Sequence, residues 1–281
     1  MTIRKYLLGV GLVLSTAFSA YFAGGSGAQR AVQPAPGVDM EYQIGAILYQ
    51  QKAAEYRALA YQAYNLARWQ LDADLDKHNA KKLPKEQRKL PRAIVVDIDE
   101  TVLDNSPSNA YAAKNDLPFN IKDWYAWGEM RKAKAVPGAV DFLNYSVSKG
   151  VKVFYISNRD EVQRQATIDN LRSAGFKDIG PDNVVLRQTE STKEPRRQAV
   201  AAKYRIILLM GDNLDDFSNV FERKSVADRF AEVEKAHDLW GKRFIVLPNA
   251  MYGTWESSVY NYERLTEAQK AEKRAVALEL P

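Results

Sequence analysis

Residues 93–106 read AIVVDIDETVLDNS, a run of four apolar residues followed by three acidic side chains within four positions. A short apolar run rich in β-branched residues is typical of a strand that is buried on both faces of a parallel sheet. In such sheets, ligands bind beyond the carboxyl ends of the strands. We therefore predict that Asp97 ends a buried strand and presents its carboxylate at the ligand-binding edge.

Four more apolar runs indicate further strands of the same sheet. They are VKVFYIS (151–157), NVVL (183–186), RIILLMGD (205–212) and RFIVLP (243–248). Helical patterns lie between several of these runs, at residues 138–149, 161–174 and 194–203. Strands that alternate with helices predict an α/β fold, in which a Rossmann-like parallel sheet is flanked by helices on both faces.

Three further segments lie outside this alternation. Residues 40–78 repeat apolar side chains at helical spacing, which predicts an N-terminal helical segment of one long helix or two packed ones. Residues 105–135 fit neither period, are rich in aromatics and separate the first two strands. We interpret them as a small cap-like insert over the strand ends. Residues 265–280 predict a C-terminal helix.

The first 28 residues have the pattern of a secretory signal peptide. Arg4 and Lys5 precede an uncharged, mostly apolar run, and small residues follow at 26–28. The run also approaches the ~20 residues that span a bilayer, so an uncleaved N-terminal membrane anchor is the alternative. A linker at 29–38 then leads to one globular domain, residues 39–281. Either interpretation places that domain outside the cytoplasm, in the periplasm or at the cell exterior.

The composition excludes several kinds of site. The chain has no cysteine, which rules out disulfides, thiolate zinc sites, cysteine nucleophiles and lipid attachment through an N-terminal cysteine. Only two histidines occur, His78 and His237, so a Ser-His-Asp triad or a multi-histidine metal site is hard to build. The net charge is +5 without a basic tract, so we expect no nucleic acid polymer as partner.

A second acidic motif, GDNLDDF at 211–217, follows the fourth predicted strand. An aspartate after a strand is also a common loop starter or helix N-cap. Here, however, Asp97 and Asp212 come from different strands and meet at one edge of the sheet. Their negative charges would repel and raise each other's pKa values. A hard divalent cation relieves this repulsion, and Mg²⁺ prefers such oxygen ligands.

These motifs together resemble those of a known enzyme family. DIDET with VLDNS, SNR at 157–159, STKEPRR at 191–197 and GDNLDDF at 211–217 are similar to the motifs of the haloacid dehalogenase (HAD) phosphohydrolases. More narrowly, they resemble the bacterial class C acid phosphatases, a group that includes lipoprotein-type 5′-nucleotidases. The resemblance runs from about Met40 to the C-terminus and implies a HAD-type acid phosphatase domain with a Mg²⁺ cofactor. The lipoprotein cysteine of that group is absent here.

The resemblance implies a role for each motif carboxylate. Asp97 is the expected nucleophile, which forms an aspartyl-phosphate. Asp99 is the expected general acid and base, and its backbone carbonyl is an expected metal ligand beside Asp97. Asp212 is the expected carboxylate ligand of the metal. Asp216 is expected to reach the same metal indirectly, through water or a neighbouring ligand, whereas Asp215 lies at a variable position.

The resemblance also implies how the substrate is held. The hydroxyl of Ser157 and the backbone N–H groups of Asn158 and Arg159 are expected to bind phosphate oxygens. Lys193 is expected to neutralise the aspartates and the phosphoryl charge, which is much of what phosphoryl transfer requires of a protein. Trp124 and Tyr252 occupy the positions from which two aromatic rings would stack on a nucleotide base.

The expected function is Mg²⁺-dependent hydrolysis of phosphate monoesters at acidic pH, including 5′-nucleotides and nicotinamide nucleotides. A phosphotransferase that uses the same aspartyl-phosphate remains an alternative, as does a non-catalytic surface binding protein on the same fold. The expected partner is a small phosphomonoester substrate. The resemblance further suggests a homodimer. The physiological substrate is left open by the sequence.

Overall fold

The computed structural model describes residues 40–281. The predicted leader at 1–28 and the linker at 29–38 lie outside the described residues. Within residues 40–281, no helix is both long enough and apolar enough to cross a membrane.

Five parallel strands form the central sheet, and a two-stranded antiparallel ribbon accompanies it. In chain order, the strands are β1 (Arg92–Val96), β2 (Leu103–Asp104), β3 (Lys134–Ala135), β4 (Lys152–Asp160), β5 (Val184–Arg187), β6 (Arg205–Gly211) and β7 (Phe244–Val246). The sheet order is β5-β4-β1-β6-β7, and the ribbon pairs β2 with β3. Strand β1 is therefore central, with β4 and β6 as its neighbours.

The helices of the described residues cover both faces of the sheet and build the insert. They are α1 (Ile44–Lys52), α2 (Ala54–Leu75), α3 (Lys77–Lys82), α4 (Lys85–Lys89), α5 (Ser106–Lys114), α6 (Ile121–Met130), α7 (Ala139–Ser148), α8 (Arg164–Ser173), α9 (Glu194–Ala201), α10 (Val226–Lys235), α11 (Thr254–Val259) and α12 (Glu267–Val276).

The predicted fold class is confirmed, with two differences in detail. All five predicted strands form the parallel sheet, but β4 continues beyond Ser157 to Asp160. It does so because its pairing with β5 is irregular after Ile156 and resumes where Asp160 meets Arg187. Of the two alternatives predicted for the N-terminal helical segment, the structure has two helices, since Ala53 is extended and separates α1 from α2. The insert is also more regular than its sequence suggests, because it contains α5 and α6.

The side chains of β1 explain why its sequence is continuously apolar. Ile94 and Val96 face one core, which α2, α7 and α8 cover. Ala93 and Val95 face the other core, where they meet Phe154 and further aromatic residues on the loops after β6. Burial on both faces removes the polar alternation of an exposed strand, and it leaves only the strand ends free to carry polar groups.

Helix α2 reaches from the N-terminal edge of the sheet to the loop after β1. Its buried face carries Ala60, Ala63 and Ala67, small residues that allow close packing on the sheet. The hydroxyl of the buried Tyr64 donates to the backbone carbonyl of Thr101 at 2.6 Å. This contact supports the loop that holds the acidic residues of the first motif.

Candidate active site

The loop after β1 begins at Asp97. The backbone N–H of Asp97 donates to the carbonyl of Met210 in β6 at 2.9 Å, so the parallel pairing continues to the edge of the sheet. The chain then turns tightly, because the N–H groups of Val102 and Leu103 both donate to the carbonyl of Ile98. Glu100 adopts a φ of 58° within this turn. The turn therefore places the Asp97 and Asp99 side chains in one small region beyond the strand.

The loop after β6 brings a second pair of carboxylates to the same edge. Asp212 follows the strand directly, and a short 3₁₀ helix at Leu214–Asp216 folds Asp216 back towards it. One oxygen of Asp216 accepts from the N–H of Asn213 at 3.0 Å. Gly211 is needed here because a Cβ at that position would collide with the Asp216 side chain.

Three carboxylates form an acidic cluster, which comprises Asp97, Asp212 and Asp216. Each contributes one oxygen, and these oxygens all lie within 4.8 Å of one another. The two motifs therefore meet, although more than a hundred residues separate Asp97 from Asp212. Burial raises the pKa of Asp97 well above its usual value, with the charge of Lys193 opposing this and the neighbouring aspartates adding to it. Uncompensated, such a cluster is electrostatically unfavourable.

Lys193 lies against the acidic cluster at the start of α9. Its buried ammonium group donates to Asp97, and to Asp216 at 2.6 Å. Burial alone would lower the pKa of Lys193, but the charges of Asp216 and Asp97 raise it above the usual value. The lysine is therefore positively charged and neutralises part of the cluster.

Two polar side chains that the sequence analysis did not single out hold Asp212. The hydroxyl of Thr101 donates to one of its oxygens at 3.0 Å, and the amide of Asn249 donates to the other at 2.9 Å. Thr101 belongs to DIDET, so its position in the motif was a usable signal. Asn249 follows β7, and nothing in its local sequence distinguishes it.

Ser157 is fully buried and already makes two contacts. Its hydroxyl donates to Asp99 at 3.1 Å and accepts from the N–H of Arg159 at 3.0 Å. The Arg159 N–H, expected to face phosphate, therefore faces the serine in this structure. The exposed side chain of Asn158 accepts from Arg196 at 2.6 Å, and Arg196 also donates to the Ser157 carbonyl at 2.7 Å. Arg196 thus links the C-terminal part of β4 to α9 and was missed from the sequence.

The carboxyl group of Asp99 is turned towards β4 and the insert. The guanidinium of Arg159, which is almost fully buried, forms an ion pair with Asp99 at 2.8 Å. The side-chain amide of Asn105 donates to the same Asp99 oxygen at 2.9 Å. Sequence reasoning did not identify either partner, although Asn105 belongs to VLDNS and Arg159 to SNR.

The two aromatic residues expected at the substrate site are both half-buried near these groups. The Trp124 ring lies 5.4 Å from the guanidinium carbon of Arg159, measured to the ring centroid. The Tyr252 hydroxyl donates to Glu100, and its ring packs beside Met40, Ile47, Ala113 and Met251. Tyr252 therefore contacts Glu100, the neighbour of Asp99 in the chain, and Trp124 contacts Arg159, the ion-pair partner of Asp99.

Known proteins are similar to this chain in sequence and in fold. The sequence profile of "HAD superfamily, subfamily IIIB (Acid phosphatase)" matches residues 28–255, most of the chain. Two structures of the class C acid phosphatase from Bacillus anthracis, one with tungstate bound, are 40% identical to this chain. Each alignment covers 86% of this chain and 98% of that chain, with a TM-score of 0.80.

A curated plant protein is a more distant relative. Acid phosphatase 1 from Solanum lycopersicum is 29% identical over 128 residues, which are 43% of this chain and 50% of that protein. The alignment therefore spans half the length of the plant protein. With the profile match and the two bacterial structures, it shows that this chain belongs to the acid phosphatases of subfamily IIIB of the HAD superfamily.

Proposed function

We propose that this protein hydrolyses phosphate monoesters, with Mg²⁺ as cofactor and Asp97 as the residue that carries the phosphoryl group. The observation that supports this most directly is the acidic cluster with Lys193 bound against it. A buried group of three carboxylates and one ammonium is costly to maintain for stability alone. It suits a reaction in which positive charge must be held beside a phosphoryl group.

The donor set fits a hard divalent cation. All three groups of the acidic cluster offer carboxylate oxygens, the ligands that Mg²⁺ prefers, and their mutual repulsion falls when a cation binds. Asp97 and Asp212 would hold the ion directly, together with the backbone carbonyl of Asp99, and Asp216 would reach it through water or a neighbouring ligand. Bound there, Mg²⁺ would supply positive charge to the phosphoryl oxygens.

In the first step, a carboxylate oxygen of Asp97 attacks phosphorus and the ester P–O bond breaks. The electron pair of that bond stays on the leaving oxygen, which takes a proton from the protonated carboxyl of Asp99. Lys193 and the hydroxyl of Ser157 bind the phosphoryl oxygens as charge builds on them. Binding requires Ser157 to turn its proton from Asp99 to the phosphate, so substrate arrival releases one oxygen of Asp99.

In the second step, water attacks the phosphorus of the aspartyl-phosphate. The Asp99 carboxylate accepts a proton from that water, and the bond between phosphorus and the Asp97 oxygen breaks. Inorganic phosphate leaves, Asp97 returns to a carboxylate and Asp99 is protonated again. The same two carboxyl groups therefore serve both steps.

The first test is turnover of 4-nitrophenyl phosphate by the whole protein. We expect activity that EDTA abolishes and that Mg²⁺ restores. Asp97→Asn should lower kcat by at least about 10³-fold because it removes the nucleophile. Asp215→Asn, at the variable position of the acidic loop after β6, is the control and should retain most of the activity. Wild-type rates in Asp97→Asn would refute the proposed nucleophile.

We further propose that the substrates include 5′-nucleotides and nicotinamide nucleotides, whose bases stack on Trp124 and Tyr252. The contact of Trp124 with Arg159, the partner of Asp99, and the contact of Tyr252 with Glu100 support this proposal. Tyr252→Ala should raise KM for a 5′-nucleotide by about tenfold, since stacking on one base contributes roughly 1–3 kcal/mol. The KM for 4-nitrophenyl phosphate should change less. Equal losses for both substrates would contradict stacking by Tyr252.

Export across the inner membrane, with either cleavage or retention of the N-terminal segment, is also proposed from the sequence of residues 1–28. N-terminal sequencing of the mature protein would distinguish the two fates. A homodimer remains a proposal as well, which light scattering of the purified protein would test.

A further inference from the structure

We propose that Asn105 is a positioning residue that orients the carboxyl group of Asp99, and that Trp127 of the insert holds Asn105 in place. The inference rests on the proposed acid–base role of Asp99. Neither Asn105 nor Trp127 was assigned a role from the sequence, and neither belongs to the acidic cluster. Together they connect α6 of the insert to the proposed acid by two hydrogen bonds.

The Asn105 side chain is fully buried and uses its complete hydrogen-bonding capacity. Its amide nitrogen donates to Asp99 at 2.9 Å and to Glu100 at 3.3 Å. Its amide oxygen accepts from the indole N–H of Trp127 at 2.8 Å and from Arg159 at 3.3 Å. A buried asparagine with four partners is locked in one orientation, because any rotation leaves buried polar groups unpaired.

The chemistry of the four partners fixes which way the amide faces. Two carboxyl groups lie on the nitrogen side, and two N–H donors lie on the oxygen side. Exchanging the amide nitrogen and oxygen would place the amide oxygen against the two carboxyl groups and the amide N–H groups against the two donors. The backbone N–H of Asn105 adds a further anchor, since it donates to Glu100 at 2.7 Å. Asn105 is therefore a fixed donor aimed at Asp99.

The two oxygens of Asp99 are held in different ways. One accepts from Asn105 and from the Arg159 Nε, the latter at 2.9 Å, and both donors are buried. The other accepts from the Ser157 hydroxyl, which must turn away when phosphate binds, and from the Arg159 Nε at the longer distance of 3.3 Å. Asn105 and Arg159 thus keep the carboxyl group in position at the moment when Ser157 releases it. The oxygen that Ser157 releases keeps its longer contact with the Arg159 Nε and is then available to the leaving group.

Trp127 extends this arrangement to the insert. Its half-buried ring lies on α6, and its N–H makes the shortest of the four side-chain hydrogen bonds of Asn105. Replacing Trp127 by Phe removes this donor and retains an aromatic ring. The loss should loosen Asn105 without removing any group that touches Asp99 directly.

The test compares kcat/KM for two substrates that need the acid to different degrees. An alkyl phosphate such as glycerol phosphate has a poor leaving group that must be protonated, whereas 4-nitrophenolate leaves without a proton. General acid catalysis contributes roughly 10²–10⁴-fold. We therefore expect Asn105→Asp to lower kcat/KM for the alkyl phosphate by about 10²-fold and Trp127→Phe by about 5-fold. Losses with 4-nitrophenyl phosphate should stay below about threefold.

Two matched controls separate positioning from general damage. Asn109→Ala removes an asparagine of α5, whose side-chain amide donates to the backbone carbonyl of Asn105 at 3.2 Å. Trp240→Phe removes another indole hydrogen bond, to Val233, in the opposite core. Neither control should change the ratio of the two kcat/KM values. Inhibition by inorganic phosphate should also stay within about twofold in Trp127→Phe, because its phosphate-binding groups are intact.

The outcomes distinguish this inference from the proposed function. Asp99→Asn should show the largest dependence on the leaving group; if it shows none, the proposed role of Asp99 fails. Suppose that Asp99→Asn shows this dependence on the leaving group while Trp127→Phe and Asn105→Asp lower kcat/KM equally for both substrates. That result overturns only the positioning role. Should Asn105→Asp not fold, Trp127→Phe alone decides the question.

Discussion

At Asp212, burial and the charge of Asp216 raise the pKa of the carboxyl group to about 7, although hydrogen bonds from Asn249 and Thr101 oppose the shift. An acid whose pKa is higher in the folded state contributes stability at low pH. That contribution is lost as the pH rises through the folded-state pKa. The metal-free protein is therefore expected to lose stability between about pH 4 and pH 7, as this carboxyl group ionises beside its neighbours.

Replacing Asp212 by Asn should have opposite effects on stability, relative to the wild type, without metal and with Mg²⁺. In EDTA at pH 8, Asp212→Asn should be more stable than the wild type by an amount on the order of 1 kcal/mol, because it removes one repelling charge. At pH 5 the difference should largely disappear. With Mg²⁺ at about 100 times its Kd, the wild type should gain roughly 2.7 kcal/mol and the variant much less.

Thermal unfolding at both pH values, with EDTA and with Mg²⁺, measures this effect. Asp228→Asn, on the exposed first turn of α10, is a control for the loss of an aspartate elsewhere. An Asp212→Asn variant that is less stable than the wild type in EDTA at pH 8 would contradict the repulsion described for the acidic cluster.

At the scale of elements, α2 holds the central strands from both ends. Near its C-terminus, Asp74 pairs with Arg92 at the start of β1 and with Arg205 at the start of β6, at 2.6 Å each. Burial alone would raise the pKa of Asp74, but the hydrogen bonds and charges of Arg205 and Arg92 lower it. With Tyr64 bound to the loop after β1, α2 sets the position of the two strands that carry Asp97 and Asp212.

Asp74→Asn tests this element. A carboxyl group with a lowered pKa contributes stability above its unfolded-state pKa and loses that contribution as the pH falls. We expect the variant to lose about 1–3 kcal/mol of unfolding free energy at pH 7, since two partly buried arginines lose their charged partner. The difference in unfolding free energy between the variant and the wild type should decrease as the pH falls below about 4.

Denaturant unfolding at pH 7 and pH 3.5 measures the loss of unfolding free energy and its change with pH. Glu55→Gln, in the exposed first turn of the same helix, should change stability by less than about 0.5 kcal/mol. A loss in Asp74→Asn that stays constant with pH would mean that the ion pairs are not its cause.

At the scale of the whole molecule, the sheet lies between two apolar cores, and the site occupies the edge that the cores leave open. The larger core includes the buried face of α2, where Leu71 is fully buried. The opposite face of the helix is exposed, and Trp69 has a relative exposure of 68%. Stability should therefore depend on the inner face of this helix far more than on its outer face.

Leu71→Ala should lower the unfolding free energy by about 2–5 kcal/mol, because it leaves a cavity between α2 and the sheet. Trp69→Ala, two residues away on the outer face, should cost less than about 1 kcal/mol. Denaturant unfolding of both variants provides the comparison. Equal losses would show that the outer face of α2 is also covered.

Local patterns in the sequence determined the five strands of the parallel sheet, six of the twelve helices of the described residues and the acidic motifs at the strand ends. These features depend on neighbouring residues, since the apolar period and the position of a polar residue after a strand are visible within ten positions. The family motifs carried the assignment of Asp97, Asp212 and Lys193 to one site.

The tertiary structure decided what surrounds those residues. The partners of Asp99 and Asp212 include Arg159 and Asn249, and Glu100 contacts Tyr252 across 152 positions of the chain. Whether such side chains meet depends on the order of strands in the sheet, the bulge in β4 and the packing of the insert. None of these leaves a periodic signal in the sequence, because the contacts form only after distant segments have packed together.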